Sequence, residues 1–151
     1  MNTALMFSSR SDEWATPQDT FDAVAREFPM TVDLAASEEN AKCRQFITAH
    51  QNALNRDWWE YGDCGWCNPP YSRGLQGKFI EKAAQERLKG FTTVMLLPAR
   101  TDTKAFHAHI YDARTWQARE GVEIRFLRGR LKFGGGKDSA PFPSMIVVFR
   151  P

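Results

Sequence analysis

Apolar positions along the chain switch between helical and strand-like spacing, which predicts an α/β fold. The first helical face carries four apolar residues at i, i+3, i+4 and i+7: Phe21, Val24, Ala25 and Phe28. Thr16 is a suitable N-cap for this helix, Pro17 suits its first position, and Pro29 marks its end. The pattern therefore predicts a core-facing helix that begins at Thr16-Pro17.

A second amphipathic helix is predicted over residues 75–88. Its apolar face carries Phe79, Ile80, Ala83, Ala84 and Leu88. Gly90 lies just beyond the predicted end, where a glycine often terminates a helix. Residues 37–43 and 103–111 are also predicted to be helical.

Short apolar runs predict the strands of one sheet. They cover residues 30–35, 46–48, 64–68, 92–97, 122–126 and 144–149. The continuous apolar run at 92–97, which ends at Pro98, is typical of a strand buried on both faces. Strands alternating with helices predict a mostly parallel sheet, and the last two strands predict a C-terminal antiparallel hairpin. Ligands bind at the carboxyl ends of strands in such sheets, so Asp33 and Asn68 are expected there.

The length of 151 residues predicts one domain over 13–151, preceded by a flexible N-terminus over 1–12. No stretch approaches the ~20 apolar residues that a membrane-spanning helix needs, so no membrane partner is expected. The first residues lack the pattern of a secretory signal, which makes a cytoplasmic location the default expectation.

Three cysteines raise the alternative of a zinc site. Cys64 and Cys67 have the Cys-x-x-Cys spacing, and Cys43 with His50 or His107 would complete four ligands. A structural zinc site commonly uses two close pairs of ligands, and the second pair is missing here. Buried free thiols are therefore the simpler interpretation, and no metal is expected.

The net charge of +2 says little about partners, but its distribution is uneven. Basic residues crowd the last third of the chain: Arg119, Arg125, Arg128, Arg130, Lys132 and Lys137. Such a stretch is usually a solvated surface, and it also suits contacts with phosphate groups near the glycines at 134–136.

Asn68-Pro69-Pro70-Tyr71 is the motif with the clearest chemistry. The two prolines fix the backbone, so the segment presents rigid carbonyl groups beside the Asn68 amide. Asn68 Oδ1 and a neighbouring carbonyl are placed to accept both hydrogens of an NH₂ group, and Tyr71 offers a flat face for a planar ring. An ordinary proline-rich turn is the alternative interpretation.

Five segments in this order resemble the adenine-N6 DNA methyltransferases, most closely the small phage-type DNA N-6-adenine-methyltransferase (Dam) family. They are Trp14-Ala15-Thr16-Pro17, residues 33–43, Asn68-Pro69-Pro70-Tyr71-Ser72, residues 97–103 and Gly129-Arg130-Leu131-Lys132-Phe133. The resemblance runs from Trp14 to the C-terminus. It implies a Rossmann-like class I methyltransferase fold, with S-adenosylmethionine as cofactor.

The resemblance also implies which residues contact the cofactor. Asp33 with Ala35 would hold its ammonium or ribose, and Trp14, Thr16 and Pro17 would line its methionine side. Asp57 and Trp58 would contact its adenine, although Asp57 has the alternative of a turn cap and Trp58 that of core packing. The glycine-rich turn that usually follows the first strand of the fold is replaced here by small residues at 35–37.

The catalytic residues implied by the resemblance are Asn68, Pro69, Pro70 and Tyr71, acting on the N6 of an adenine flipped out of double-stranded DNA. The expected DNA contacts are Ser72, Arg73, Arg100, Lys104, Arg128, Arg130, Lys132 and Lys137. A base-reading loop is expected near residues 72–78 or 134–143.

Two alternatives stay open at this point. The same motif also serves methyltransferases that act on RNA or on a glutamine amide in protein, and a non-catalytic DNA-binding relative would keep the fold. Methyl transfer to DNA, RNA and protein, together with cofactor binding, separates these cases.

Overall fold

The computed structural model describes residues 15–72, 74–135 and 138–151. The predictions for residues 1–12, Trp14, Arg73 and Lys137 lie outside the described residues. The division into an N-terminal segment and one catalytic domain stays a prediction.

Eight strands are present in the described part of the chain. In chain order they are β1 (Val32–Asp33), β2 (Gln45–Phe46), β3 (Cys64–Cys67), β4 (Thr92–Pro98), β5 (Tyr111–Asp112), β6 (Gln117–Ala118), β7 (Val122–Phe126) and β8 (Ser144–Phe149). Six of them form one sheet in the order β2-β1-β3-β4-β8-β7, and β5 pairs with β6 in a separate hairpin.

The central sheet is parallel from β2 to β4 and antiparallel where β8 is inserted between β4 and β7. Every residue of β8 is buried because strands flank it on both sides, whereas the edge strand β7 is half-buried with an exposed end. The predicted mixed α/β sheet with a C-terminal antiparallel pair is confirmed.

Two α-helices pack on this sheet, α1 (Gln18–Ala25) and α2 (Leu75–Glu86). The predicted position of α1 is confirmed. Pro17 rather than Thr16 occupies the N-cap position, and no side chain forms a cap hydrogen bond there. In α2 the prediction fails at Leu88, which is 78% exposed. The α-helix ends at Glu86 and continues as a 3₁₀ turn over Arg87–Lys89, so the helical spacing no longer directs residue 88 to the core.

Two other helix predictions need correction. Residues 37–43 form a turn in which Ser37 and Asn40 exchange hydrogen bonds, because their short polar side chains satisfy the backbone without a helix. The segment after Thr103 is helical, but Phe106–Ile110 has π-helical geometry and Tyr111 already belongs to β5. Single 3₁₀ turns cover Ala53–Asn55 and Trp58–Tyr61.

Each face of the sheet has its own apolar core. One face packs against α2 and the π-helical segment, with Trp58, Phe79 and Phe91 at its centre. The other face packs against α1, where Phe21 meets Trp66 edge to face at 5.3 Å. None of the described helices is long and apolar enough to cross a membrane.

Candidate active site

Parallel pairing of β1 and β3 brings two predicted site residues to the same edge of the sheet. Asp33 is the register partner of Trp66, and Asn68 leaves β3 two residues later. The residues around this edge enclose a cavity of about 30 Å³, and most of them come from the predicted segments: Ala15, Thr16, Asp33, Ala35, Asn40, Lys42, Trp66, Asn68, Pro69, Pro70 and Tyr71. Ligand pockets usually measure ~300–1,000 Å³, so a purine ring would enter this cavity only after side chains move.

The Asn68 amide has a defined orientation. Its Nδ2 donates a hydrogen bond to Thr16 Oγ1 at 3.1 Å, and Thr16 is only 6% exposed. The planar amide therefore directs Oδ1 away from Thr16. Thr16 was expected to cap α1, and the structure instead uses its hydroxyl to hold an amide 52 positions further along the chain.

Asp33 is a buried side chain that holds the two ends of the connection between β1 and β2. Its Oδ1 accepts a hydrogen bond from the Ala35 backbone N–H at 3.3 Å, and its Oδ2 accepts one from the Lys42 N–H at 3.0 Å. Burial raises the pKa of Asp33 to about 7, and the two backbone hydrogen bonds oppose this shift without cancelling it. The side chain therefore holds its proton to a higher pH than an ordinary aspartic acid does.

Tyr71 lies in an aromatic cluster that its own motif did not predict. Its ring meets Phe133 edge to face at 6.1 Å and Phe142 at 5.6 Å, and burial raises the pKa of its hydroxyl. Phe133 belongs to the fifth segment of the resemblance, but neither phenylalanine was assigned to the site. A phenylalanine between Pro141 and Pro143 in a predicted loop was the available signal for Phe142.

The C-terminal loop that carries Phe133 and Phe142 forms a backbone hydrogen bond with the N-terminal segment that lines the cavity. Gly134 donates its backbone N–H to the Ala15 carbonyl at 2.9 Å, with φ of 65° that suits glycine. The segment that contains Phe133 thus contacts two of the residues that line the cavity, Ala15 and Tyr71.

The structure places Asp57 and Trp58 outside the lining of this cavity, and the contact with the cofactor's adenine expected of them stays a prediction. Trp58 is fully buried, stacks on Phe79 at 6.5 Å and donates its backbone N–H to the Glu86 carboxylate at 2.7 Å. Asp57 forms an ion pair with Lys89 at 3.3 Å. Neither residue lines the cavity, because the 3₁₀ turn that they begin packs against the end of α2 instead.

Most of the predicted DNA contacts are exposed at the loops around this edge of the sheet. The exposed ones among the described residues are Arg100, Lys104, Arg128, Arg130 and Lys132, whereas Ser72 is half-buried. The Arg100 guanidinium lies 5.8 Å from the centre of the Phe142 ring, which connects this basic surface to the aromatic cluster. Arg125, from the same basic stretch, is held by Glu27 and Glu123.

The three cysteines are free thiols. Burial raises the pKa of Cys43 to about 12 and that of Cys64 to about 11, and it raises the pKa of Cys67 well above the ordinary value of a thiol. No group of three or more His, Cys, Asp or Glu side chains within the described ranges is arranged to hold a metal ion.

The model of one protein family, DNA N-6-adenine-methyltransferase (Dam), matches residues 4–151. The chain belongs to this family. The match covers almost the whole sequence and includes the cavity residues from Ala15 to Tyr71 as well as Phe133 and Phe142. The resemblance inferred from the five segments is therefore confirmed.

Two curated phage proteins are similar to this family member. The DNA N-6-adenine-methyltransferase of Haemophilus phage HP1 (strain HP1c1) is 36% identical over 146 residues, which cover 95% of this chain and 81% of that protein. The DNA N-6-adenine-methyltransferase of Escherichia phage T1 is 36% identical over 96 residues, or 63% of this chain and 39% of that protein.

Proposed function

We propose that this protein transfers a methyl group from S-adenosylmethionine to the exocyclic N6 of adenine in double-stranded DNA. One observation carries the proposal: in a member of the DNA N-6-adenine-methyltransferase family, the Asn-Pro-Pro-Tyr loop lies beside Asp33, and Thr16 orients the Asn68 amide. A fold with a Rossmann-like class I topology is part of the same proposal.

The residues around the cavity suit the proposed cofactor. Asp33 brings a carboxylate to its wall, and Ala35 and Ala15 are small enough to let a ligand approach the backbone. When bound, S-adenosylmethionine supplies a methyl group on a positively charged sulfur. Asp33 would hold its ammonium group, and Thr16, Pro17 and the segment from Trp14 would border its methionine portion.

Asn68 and Pro69 would activate the adenine amine. The nitrogen lone pair of this amine is delocalised into the ring, which makes it a poor nucleophile. Two hydrogen bonds, to Asn68 Oδ1 and to the Pro69 carbonyl, would favour a pyramidal and more electron-rich nitrogen aligned with the methyl group. Pro70 keeps this backbone rigid, so the acceptors are in place before the substrate arrives.

Tyr71 would stack on the flipped base. Phe133 and Phe142 meet its ring at interplanar angles of 87° and 73°, so the site already has an aromatic lining. Removing an adenine from the DNA stack costs a few kcal/mol, and stacking on an aromatic ring returns ~1–3 kcal/mol.

The exposed basic residues would hold the DNA backbone. Arg100 and Lys104 follow β4, whereas Arg128, Arg130 and Lys132 follow β7, so the two groups flank the start of β8. Ser72, Arg73 and Lys137 are proposed contacts from the sequence. Phosphate contacts of this kind bind all sequences alike and weaken as salt rises.

The proposal is tested by transfer of labelled methyl from S-adenosylmethionine to unmethylated duplex DNA, followed by nucleoside analysis. Label in N6-methyladenine is expected. Label in RNA or protein instead, or no binding of the cofactor, would contradict the proposal in favour of the two alternatives above.

The role of Asn68 has its own test. Asn68→Ala should abolish turnover and leave cofactor affinity, measured by calorimetry, within about threefold, because the amide acts on the substrate amine. The control is Asn55→Ala, which changes an exposed asparagine outside the cavity. Turnover that survives in Asn68→Ala would remove Asn68 from the mechanism.

A further inference from the structure

Thr16 forms a hydrogen bond with Asn68, the residue proposed to bind the substrate amine. The sequence predicted other roles for the Thr16 side chain, at the start of α1 and beside the cofactor. Its Oγ1 accepts the hydrogen bond from Asn68 Nδ2 at 3.1 Å. A carboxamide can rotate by half a turn and exchange its oxygen with its nitrogen, and an Asn68 rotated in this way would offer a donor where the substrate amine needs an acceptor. The hydrogen bond to Thr16 Oγ1 holds the Asn68 amide with Nδ2 on the side of Thr16 and Oδ1 on the other side.

The backbone around Thr16 is fixed from both sides. The Ala15 carbonyl accepts the Gly134 N–H at 2.9 Å, and the Pro17 carbonyl accepts the backbone N–H groups of Thr20 and Phe21 at 3.1 and 3.2 Å. Thr16 thus lies between the C-terminal loop and the first turn of α1. A buried hydroxyl on an anchored backbone is a better reference point for an amide than a mobile surface side chain.

We infer that Thr16 is a positioning residue: its hydroxyl holds the Asn68 amide through the hydrogen bond from Nδ2, so that Oδ1 is placed to accept a hydrogen bond from the substrate NH₂. The inference rests on the proposed function. It assigns Thr16 a role in the turnover step rather than in retaining the cofactor. Because this hydrogen bond restrains the Asn68 amide, loss of the hydroxyl should lower kcat by about tenfold.

The variants Thr16→Val and Thr16→Ser separate this role from packing. Valine keeps the volume and removes the acceptor, whereas serine keeps the acceptor and removes the methyl group. Thr16→Val should lower kcat for methylation of duplex DNA by about tenfold or more, with the KM values for DNA and cofactor within about threefold. Thr16→Ser should keep most of the wild-type kcat.

The matched control is Thr93→Val in β4. Thr93 is completely buried, and its Oγ1 forms no hydrogen bond with any described residue. Because Thr93 does not line the cavity, this change removes a buried hydroxyl at a position outside the site. Thr93→Val should leave kcat unchanged. A fall in kcat equal to that of Thr16→Val would show that loss of any buried hydroxyl has this effect, and it would overturn the inference.

A second measurement is independent of activity. In ¹⁵N-labelled protein, the side-chain amide resonances of Asn68, assigned by their loss in Asn68→Ala, should shift in Thr16→Val and stay in place in Thr16→Ser and Thr93→Val. Unmoved resonances in Thr16→Val would overturn the inference even if the wild-type protein methylates DNA. If the wild-type protein does not methylate DNA, the proposed function fails, whereas the shift still reports whether the hydroxyl holds the amide.

The kinetics include outcomes that oppose the inference. A tenfold weaker cofactor affinity with unchanged kcat would assign the hydroxyl to the cofactor. A kcat that stays low in Thr16→Ser would assign the contribution of Thr16 to its methyl group. If Thr16→Val does not fold, Thr16→Ala provides the same loss of the acceptor with less steric demand, and its amide resonances and kcat are judged by the same criteria.

Discussion

Replacing Asp33 by asparagine should remove a distinct pH dependence of folding stability. The carboxyl group is 3% exposed, and burial raises its pKa from an ordinary value of 3.8 to about 7. The folded protein therefore keeps the proton over a pH range in which the unfolded chain has already lost it. Between these two pKa values, the free energy of unfolding falls as pH rises, because the folded state binds more protons.

The size of the effect follows from the two pKa values. A tenfold difference in proton affinity is worth about 1.4 kcal/mol, so the interval from 3.8 to about 7 corresponds to at most about 4 kcal/mol. The loss begins as pH rises through 3.8, develops over the interval and is complete above pH 7. In its steepest part, the Asp33 contribution falls by about 1.4 kcal/mol for each pH unit.

Urea unfolding of the wild-type protein and Asp33→Asn between pH 5 and pH 8 would measure this contribution. The asparagine cannot ionise, so the stability difference between the two proteins should change with pH by about 1.4 kcal/mol per unit up to pH 7 and then level off. The variant also loses one acceptor for the Ala35 or Lys42 N–H, which displaces its curve by a constant amount. Parallel curves over the whole range would refute the reasoning.

Two further predictions concern packing and DNA binding. Glu86→Ala should lower the free energy of unfolding, measured in urea, by about 2–3 kcal/mol, because the buried backbone N–H of Trp58 loses its acceptor. Asp57→Ala, which removes the exposed ion pair with Lys89, should cost less than about 1 kcal/mol. Equal losses in the two variants would contradict this prediction. Arg130→Ala should reduce the slope of log affinity for duplex DNA against log salt by about 0.9, because one phosphate contact is lost. Arg114→Ala on the β5–β6 hairpin should leave the slope unchanged. An unchanged slope for Arg130→Ala would remove Arg130 from the proposed DNA contacts.

Local sequence patterns predicted the elements whose apolar residues follow a regular spacing. The helical spacing in α2 and the continuous apolar runs of β4 and β8 are each visible within one short stretch of sequence, and each identifies an element with buried apolar residues. The prediction was wrong at residues 37–43 and at Leu88. In the first case side chains satisfy the backbone in a turn, and in the second the helix tightens before its last predicted residue.

The candidate site was predicted in part because its motif is contiguous. The Asn-Pro-Pro-Tyr segment identifies its chemistry without a fold, and parallel strands were expected to bring Asp33 and Asn68 to one edge, as they do. The sequence did not predict the burial of Trp58 away from the cavity, because a tryptophan near a motif in sequence has no fixed distance from it in space. Its position follows from the acceptor that Glu86 supplies 28 residues later.

The amino-acid sequence by itself determined the helices and strands with strong periodicity, the rigid motif after β3 and the family. Only the tertiary structure decided that β8 lies between β4 and β7, that Tyr71 meets Phe133 and Phe142, and that Thr16 holds Asn68. The physical reason is the range of the interactions. Propensity and periodicity act over one or two turns of chain, whereas a contact between residues 52 positions apart exists only after the sheet has fixed the order of its strands.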